Sequence, residues 1–204
     1  MDLRPLPRAF YARPVLSVAR DCIGKHLVRD TADGRVVGRI VEAEAYRGPE
    51  DRAAHSFGGR RTARTEVMYG PPGHAYVFFV YGLHHHVNLV TTEIDKPHAV
   101  LLRAVEPVAG LELMAERRGM PATRRELTNG PGKLCEAFAI DRRDNGIDLT
   151  SAPLFLSDGA VCKVARATRV GIDYAGAVWA ARPWRFFDPA SRYVSKSAGA
   201  RSRR

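Results

Sequence analysis

The stretch VVGRIVEAEAY, Val36–Tyr46, decides the fold because it predicts one long β-strand, rich in β-branched residues and ended by Gly48-Pro49. The Asp33-Gly34 pair before it is typical of a hairpin turn. A shorter strand over Lys25–Arg29 precedes that turn. These features predict an antiparallel hairpin early in the chain, and the other elements are interpreted outward from it.

Alternate side chains of a strand share a face, so IVEAEAY predicts two different sides. The small apolar residues of this stretch are expected to face the core. Two carboxylates on the other side could divide acid and base roles or bind a metal, but a solvated strand face explains the same spacing. The spacing alone leaves these alternatives open. The side that carries the carboxylates is predicted to comprise Ile40, Glu42, Glu44 and Tyr46.

Residues 67–92 contain no Asp, Glu, Lys or Arg, yet glycines and prolines interrupt them, so they do not predict a membrane helix. The segment AYVFFVY, Ala75–Tyr81, predicts a buried strand that turns at Gly82 into a partner strand over residues 83–90. Further strands are predicted over 98–107, 154–156, 161–164 and 185–187, and helices over 14–23, 107–118 and within 129–140.

Strands with a few helices predict an α+β fold: a single domain around a curved, largely antiparallel β-sheet with peripheral helices. We expect this domain to cover residues 1–190. Residues 191–204 are basic and low in complexity, which is typical of a disordered tail.

Composition narrows the function classes. The formal net charge of +10, carried mostly by arginine, favours a polyanionic partner, and nucleic acid ahead of a membrane. No run of 18 apolar residues and no apolar signal-peptide core occur, so neither a membrane span nor secretion is expected. Three widely separated cysteines lack metal spacing and indicate buried free thiols in a reducing compartment.

The run His84-His85-His86 invites a metal hypothesis. On a strand only His84 and His86 share a face, whereas a catalytic zinc site usually has three protein ligands. No other histidine stands at a supporting distance in sequence. The histidine run is therefore expected to hold no metal. Nothing in the sequence calls for an organic cofactor.

Five segments, in order, resemble the alkyladenine (3-methyladenine) DNA glycosylase family, the single-domain type of mammals and many bacteria. They cover most of the chain from residue 40 to residue 187. The segments are RIVEAEAYRGPEDRAAHSFGGRRT, PPGHAYVFFVYGLHHHVNLV, AVLLRAVEP, NGPGKLCEAFAI and RPWRFF.

The resemblance implies a monofunctional glycosylase that flips a damaged purine from duplex DNA, hydrolyses its N-glycosidic bond and leaves an abasic site. Glu44 matches the general base that activates a water, and Arg103 the arginine that positions that water and the carboxylate. Tyr46 matches one stacking wall of the base pocket, and His55 with Phe78 the opposite wall.

The resemblance also implies how DNA is held. Asn88 matches the residue that crowds the amino group of normal guanine. Tyr81, with Leu83 beside it on a protruding hairpin, matches the ring that fills the gap left by the flipped nucleotide. Arg60 and Lys133 fall where family members touch the DNA backbone. The implied partner is double-stranded DNA with damaged purines, bound by a monomer in the bacterial cytoplasm or a eukaryotic nucleus.

The sequence departs from the mammalian members at three places. Phe78 stands where they have tyrosine, His84 replaces another aromatic residue, and two residues are inserted between Asn88 and VLLRA. Two alternatives remain: a non-catalytic nucleic-acid-binding domain, and a metal-dependent hydrolase that uses the histidine run. The sequence does not rank 3-methyladenine, 7-methylguanine, hypoxanthine and ethenoadenine as substrates.

Overall fold

One 13-residue strand, β2 (Gly34–Tyr46), organises the fold because it pairs antiparallel with three others. Its first half pairs with β1 (His26–Thr31), nearly its whole length with β5 (His98–Ala109), and its end with β8 (Arg185–Phe187). The predicted hairpin is confirmed, but its two turn residues are Ala32 and Asp33 rather than Asp33 and Gly34, since Thr31 lies opposite Gly34.

The sheet runs β3-β4-β5-β2-β1-β6, and β7 joins it through β8. The computed structural model describes residues 3–80 and 82–195 of the chain. The remaining strands are β3 (Ala75–Val80), β4 (His84–Thr91), β6 (Leu154–Ser157) and β7 (Ala165–Ala167). The α-helices are α1 (Arg8–Tyr11), α2 (Val15–Asp21), α3 (Leu111–Arg118), α4 (Pro131–Ala137) and α5 (Ala177–Ala180).

The main core lies between one face of this curled sheet and helices α2, α3 and α4. Their buried side chains include Val18, Met114 and Leu134, which share one cluster with Ala43 and Leu102 of the sheet. The α+β class with a curled antiparallel sheet is confirmed. Among the residues that the structure describes, no helix has the length and apolar character needed to cross a bilayer.

A β-bulge interrupts the pairing of β2 with β5 between Ile40 and Ala43. Because a bulge adds one unpaired residue, it shifts the alternation of side chains. Ile40 therefore lies in the main core with Ala43, whereas Val41 packs against Ala104 and Tyr193 in a separate cluster. The expectation that Ile40 shares a face with the carboxylates is wrong.

Two other boundaries differ from the sequence prediction. The helix expected from Pro107 begins at Leu111, because β5 continues to Ala109 and Gly110 makes the junction at φ 73°. A Cβ at Gly110 would lie 2.5 Å from the carbonyl oxygen of Arg35, so the close approach of β2 requires glycine there. The strand expected over residues 161–164 is absent from this described segment; Val161 is 98% exposed.

Residues 191–195, which we expected to begin a disordered tail, are held against the sheet. Tyr193 is only 6% exposed, and Ser195 donates from its backbone N–H and its hydroxyl to the carboxylate of Glu42. The short segment thus completes the polar face of β2. The rest of the expected tail, residues 196–204, lies outside the described residues.

A chain truncated after Ala190 is expected to be less stable than one truncated after Ser195. The shorter chain lacks the buried ring of Tyr193 and the donors of Ser195, and loss of a large buried aromatic side chain costs about 3–5 kcal/mol. Denaturant unfolding of both truncated chains measures the difference, because both lack residues 196–204. Equal free energies of unfolding would contradict the packing of this segment.

Candidate active site

A cavity of about 300 Å³ opens on the face of the sheet opposite the main core. Its floor comes from β2 to β5, whose polar and aromatic residues alternate with the buried apolar ones. Its sides come from the loop around Ala53–His55, from Met68, and from the loop around Val170–Tyr174. The sheet residues that line it are Tyr46, Tyr76, Phe78, Val80, His86, Asn88, Ala99, Leu101 and Arg103.

Two carboxylates and one guanidinium form the charged centre beside this cavity. Glu42 and Glu44 are fully buried, so the solvated strand face that their spacing allowed is wrong. Arg103 reaches both: its Nε lies 3.1 Å from Glu42 Oε1 and its Nη1 lies 3.3 Å from Glu44 Oε2. Burial alone would lower the pKa of Arg103, but the two carboxylates raise it, so the guanidinium stays charged.

Glu42 is surrounded by donors. Besides Arg103, it accepts from Arg185 Nη1 at 3.1 Å, from the Ser195 amide at 2.6 Å and from the Ser195 hydroxyl at 2.8 Å. Three of these donors, from Arg103, Arg185 and the Ser195 hydroxyl, converge on Oε1, and the Ser195 amide donates to Oε2. Glu42 thus joins β2, β5, β8 and the end of the folded chain.

Glu44 has fewer partners and stands next to residues that line the cavity. Its Oε1 accepts from the Val170 amide at 2.7 Å, and its Oε2 accepts from the Tyr46 hydroxyl at 2.9 Å and pairs with Arg103. Burial and the Glu44 charge raise the pKa of Tyr46 well above its usual value, so that hydroxyl remains a donor. Three donors leave Glu44 with room for one more.

A fully buried ion pair packs against the ring of Tyr46 and fixes its position. Arg169 binds Asp51 through two parallel contacts of 2.6 and 3.0 Å, and it also donates to the carbonyl of Ala45 at 3.0 Å. Its guanidinium carbon lies 4.7 Å from the centre of the Tyr46 ring. Asp51 also accepts from the Ala53 amide, so one carboxylate holds both the aromatic wall and the start of the neighbouring loop.

A second aromatic group forms another side of the cavity. The ring of His55 meets Phe78 edge-on with centres 4.5 Å apart, and its Nδ1 lies 2.9 Å from the hydroxyl of Tyr76. Phe78 and Tyr76 are in tilted contact at 5.3 Å. Burial, with the nearby charge of Arg64, lowers the pKa of His55 to about 4, so this imidazole is neutral at pH 7.

His86 and Asn88 complete the floor on β4. His86 touches the edge of Phe78 at 5.5 Å, and burial together with Arg103 lowers the pKa of His86 to about 4. Asn88 is 4% exposed and its Nδ2 donates to the Tyr76 carbonyl at 3.0 Å across the β3–β4 pair. The sequence had suggested His86 as a metal ligand, whereas the fold places it against the cavity.

Among the described residues expected to hold DNA, Leu83, Arg60 and Lys133 do not line the cavity. Leu83 is 74% exposed at the end of the β3–β4 hairpin, and Tyr81 beside it lies outside the described residues. Arg60 is exposed on the loop after β2. Lys133 stands in the first turn of α4 and donates to Asn129 Oδ1 at 2.8 Å.

The histidine run does not gather ligands. His84 is exposed, His86 faces the cavity, and within residues 3–80 and 82–195 no group of three or more His, Cys, Asp or Glu side chains is placed to hold a metal ion. The metal-dependent alternative therefore has no ligand set in the described residues.

Several side chains that build the site gave no signal in the sequence. Asp51 lies within one of the motifs quoted above, but the sequence indicates only an acidic residue in a loop. Arg169 and Ser195 belong to no motif, and each reaches the site only because the chain folds back over more than a hundred residues. Tyr76 alternates with Phe78 along β3, and that spacing could have found it.

Comparison with known proteins gives one family. The model of methylpurine-DNA glycosylase matches residues 9–192. A protein of Methanocella arvoryzae is 51% identical over 195 residues, which cover 95% of this chain and 96% of the relative. One of Desulfitobacterium hafniense is 49% identical over 202 residues, covering 95% and 99%. Both bear the name "Putative 3-methyladenine DNA glycosylase".

Replacement of Glu42 by Gln is expected to lower the free energy of unfolding by about 3–5 kcal/mol. The amide would leave the buried Arg185 without its carboxylate partner and Arg103 with Glu44 alone, and breaking one side of a buried pair costs about this much. Glu106→Gln is the matched control, because its ion pair with Arg39 lies near the surface and such pairs contribute about 0–1 kcal/mol. Equal stability of the two variants in denaturant unfolding would contradict the structural role of Glu42.

Proposed function

The chain belongs to the methylpurine-DNA glycosylase family, and we propose that its cavity takes a damaged purine flipped out of duplex DNA. It is a DNA glycosylase of base excision repair, an enzyme that hydrolyses the N-glycosidic bond. The proposal adds the substrate, an alkylated or deaminated purine, and the roles of the residues around the cavity. The product is an abasic site, and the reaction ends there.

Base flipping accounts for the cavity. The glycosidic bond of a stacked base is out of reach of a side chain, and extrusion of the nucleotide costs a few kcal/mol, least at damaged pairs. Tyr46 on one side, and His55 with Phe78 on another, offer aromatic surfaces, and stacking contributes about 1–3 kcal/mol per base. The stacking thus offsets the cost of flipping.

The cavity also suits cationic bases such as 3-methyladenine. A cation over an aromatic face is stabilised by the ring quadrupole. Both imidazoles at the cavity, His55 and His86, are neutral at pH 7, since their pKa values are about 4. The charges of Arg103 and Arg169 are matched by buried carboxylates. Among these groups a positive lesion therefore meets aromatic faces and no unbalanced cation, while the guanidinium carbon of Arg64 lies 5.2 Å from the centre of the Phe78 ring.

One observation carries the assignment of the general base: the three partners of Glu44, which are Tyr46, Arg103 and Val170, all line the cavity. Of the residues that bind Glu42, Arg185 and Ser195 do not line it. Glu44 takes a proton from the water that attacks C1′ of the sugar, and Arg103 holds the carboxylate in place. The same negative charge stabilises the electron-deficient sugar as the base leaves.

The lining of the cavity bears on selectivity and on the extent of the reaction. Asn88 faces the cavity where the amino group of guanine would come to lie, and its bulk rejects that base. The described residues that line the cavity include no lysine, so no amine is at hand for a Schiff-base step after base removal. The enzyme is accordingly proposed to be monofunctional.

The surface around the cavity is proposed to hold the duplex. Tyr81, with Leu83 beside it, fills the gap in the helix, and Arg60 and Lys133 contact phosphates. A net charge of +10 favours this binding, and displaced counterions make it salt-dependent. The protein acts as a monomer wherever its chromosomal DNA lies, the cytoplasm of a prokaryote or the nucleus of a eukaryote.

Glu44→Gln is expected to slow single-turnover excision of hypoxanthine from duplex DNA by about 10²–10⁴-fold, the usual cost of losing a general base. The amide keeps the shape of the side chain, so affinity for the lesion duplex should be retained. Release of free base and formation of abasic sites are both measured, with and without excess EDTA.

Glu106→Gln serves as the matched control and should react like the wild type. Near-normal excision by the Glu44 variant would overturn its role as the base. Loss of wild-type activity in EDTA, restored by zinc, would favour the metal-dependent hydrolase. Tight binding of lesion DNA with no release of any modified base would favour a binding domain without catalysis.

Asn88→Ser is expected to raise excision of guanine relative to hypoxanthine by roughly 10–200-fold, because steric rejection in a stiff pocket is worth about 1–3 kcal/mol. Guanine mispaired with thymine is the substrate, since the mispair eases flipping. Asn88 also bonds the Tyr76 carbonyl, so the melting temperature is measured in parallel. An unchanged ratio with a lowered melting temperature would assign Asn88 a structural role only.

A further inference from the structure

The hydroxyl of Ser195 lies between two charged groups of the site. It donates to Glu42 Oε1 at 2.8 Å and accepts from Arg103 Nη2 at 3.4 Å. A hydroxyl has a single hydrogen, so donation to the carboxylate leaves its lone pairs for the guanidinium. The three side chains form a closed ring, because Arg103 Nε also donates to Glu42 Oε1 at 3.1 Å.

Arg103 is held through all three nitrogens of its guanidinium. Nε binds Glu42, Nη1 lies 3.3 Å from Glu44 Oε2, and Nη2 donates to Ser195. The guanidinium is planar and rigid, so the contacts of two of its nitrogens set the position of the third. The contact of Arg103 with Glu44 therefore depends on Glu42 and Ser195 together.

The Ser195 hydroxyl is not needed to attach the segment that carries it. The ring of Tyr193 is buried in a cluster with side chains of β2 and β5. The backbone amide of Ser195 donates to Glu42 Oε2 at 2.6 Å. Both anchors are independent of the Ser195 side chain, whose own hydrogen bonds to described residues go to Glu42 and Arg103.

Burial makes the hydroxyl matter for the direction of the guanidinium. Arg103 is 7% exposed, so little water is at hand to replace a lost acceptor at Nη2. A buried donor without an acceptor is costly, and a guanidinium in that position would turn towards another partner. Because the group is rigid, any turn also moves Nη1 relative to Glu44.

We propose that Ser195 is a positioning residue for the glycosylase reaction: its hydroxyl fixes the guanidinium of Arg103, which in turn holds Glu44 for proton transfer. The inference rests on the proposed function, in which Glu44 is the general base. Ser195 does not line the cavity, so it acts through Arg103, which does. The end of the described chain is thereby part of the machinery that orients the base.

The test measures single-turnover excision of hypoxanthine from duplex DNA by the full chain at saturating enzyme. Ser195→Ala is expected to slow excision by about 10–100-fold, because a displacement of about 1 Å in a positioned group can cost up to about 100-fold. Ser195→Thr keeps a hydroxyl and should restore most of the rate. Affinity for a duplex with an abasic-site analogue should be the same in the wild type and both variants.

Ser191→Ala is the matched control, because it makes the same change in the same segment. The Ser191 hydroxyl accepts from the Tyr193 amide at 3.3 Å, away from the charged centre, so this variant should excise like the wild type. The melting temperature of each variant is measured in parallel. A Ser195→Ala variant that is less stable but excises at the wild-type rate below its melting temperature would overturn the proposal and leave a structural role only.

A double-mutant cycle tests the route through Arg103. Arg103→Lys keeps a positive charge but has no Nη2 to meet the Ser195 hydroxyl. Ser195→Ala should therefore slow Arg103→Lys far less than it slows the wild type, since the effects of residues that act through one contact do not add. The same slowing in both backgrounds would show that Ser195 does not act through Arg103, which contradicts the proposal.

The wild type separates this inference from the proposed function. Normal excision by the wild type and equally by Ser195→Ala would remove the positioning role of Ser195 and leave the proposed function intact. A wild type that releases no modified base would contradict the proposed function itself, whatever the variants show.

Discussion

The contact on which the site depends is that of Arg103 with two fully buried carboxylates. Burial of a charge is expensive unless partners and hydrogen bonds compensate for the lost water. One guanidinium serves both Glu42 and Glu44, so the central strand can carry two anions at its most buried point. The bulge in β2 contributes, because it sets Ile40 on the core face and leaves both carboxylates on the polar face.

The two carboxylates differ in their hydrogen-bond partners, and this difference separates their roles. The carboxylate of Glu42 accepts hydrogen bonds from β5, from β8 and from the end of the folded chain, and so holds these segments together. Glu44 is fixed by a backbone amide, a tyrosine and Arg103 at the edge of the cavity. A second buried pair, Asp51 with Arg169, fixes the wall and the loop in front of it. These contacts would hold the proposed general base in place before a substrate arrives.

The sequence predicts the parts of this arrangement that depend on local pattern. Alternation and turn residues indicated the central hairpin, the β3–β4 hairpin and the α+β class. The motifs that resemble the family also named five residues, Tyr46, His55, Phe78, Asn88 and Arg103, that the fold brings to one cavity. Their roles stay predictions.

What the sequence did not predict depends on contacts between distant segments. The faces of the sheet on which Ile40 and Val41 lie follow from a β-bulge, and this bulge is visible only in the pairing of β2 with β5. The sequence assigned Tyr193 to a basic tail, whereas in the structure its side chain is buried against the sheet. Arg169 carries no local sign that it will meet Asp51, from which 118 positions separate it.

The division of labour between the carboxylates is tested most directly by a crystal structure of the protein with a duplex that carries a hydrolysis-resistant hypoxanthine nucleotide. The decisive quantity is the distance from each carboxylate to the water nearest C1′. We expect that water within hydrogen-bond distance of Glu44, with the base between Tyr46 and Phe78. A flipped base outside the cavity, or a water held by Glu42 instead, would contradict the mechanism.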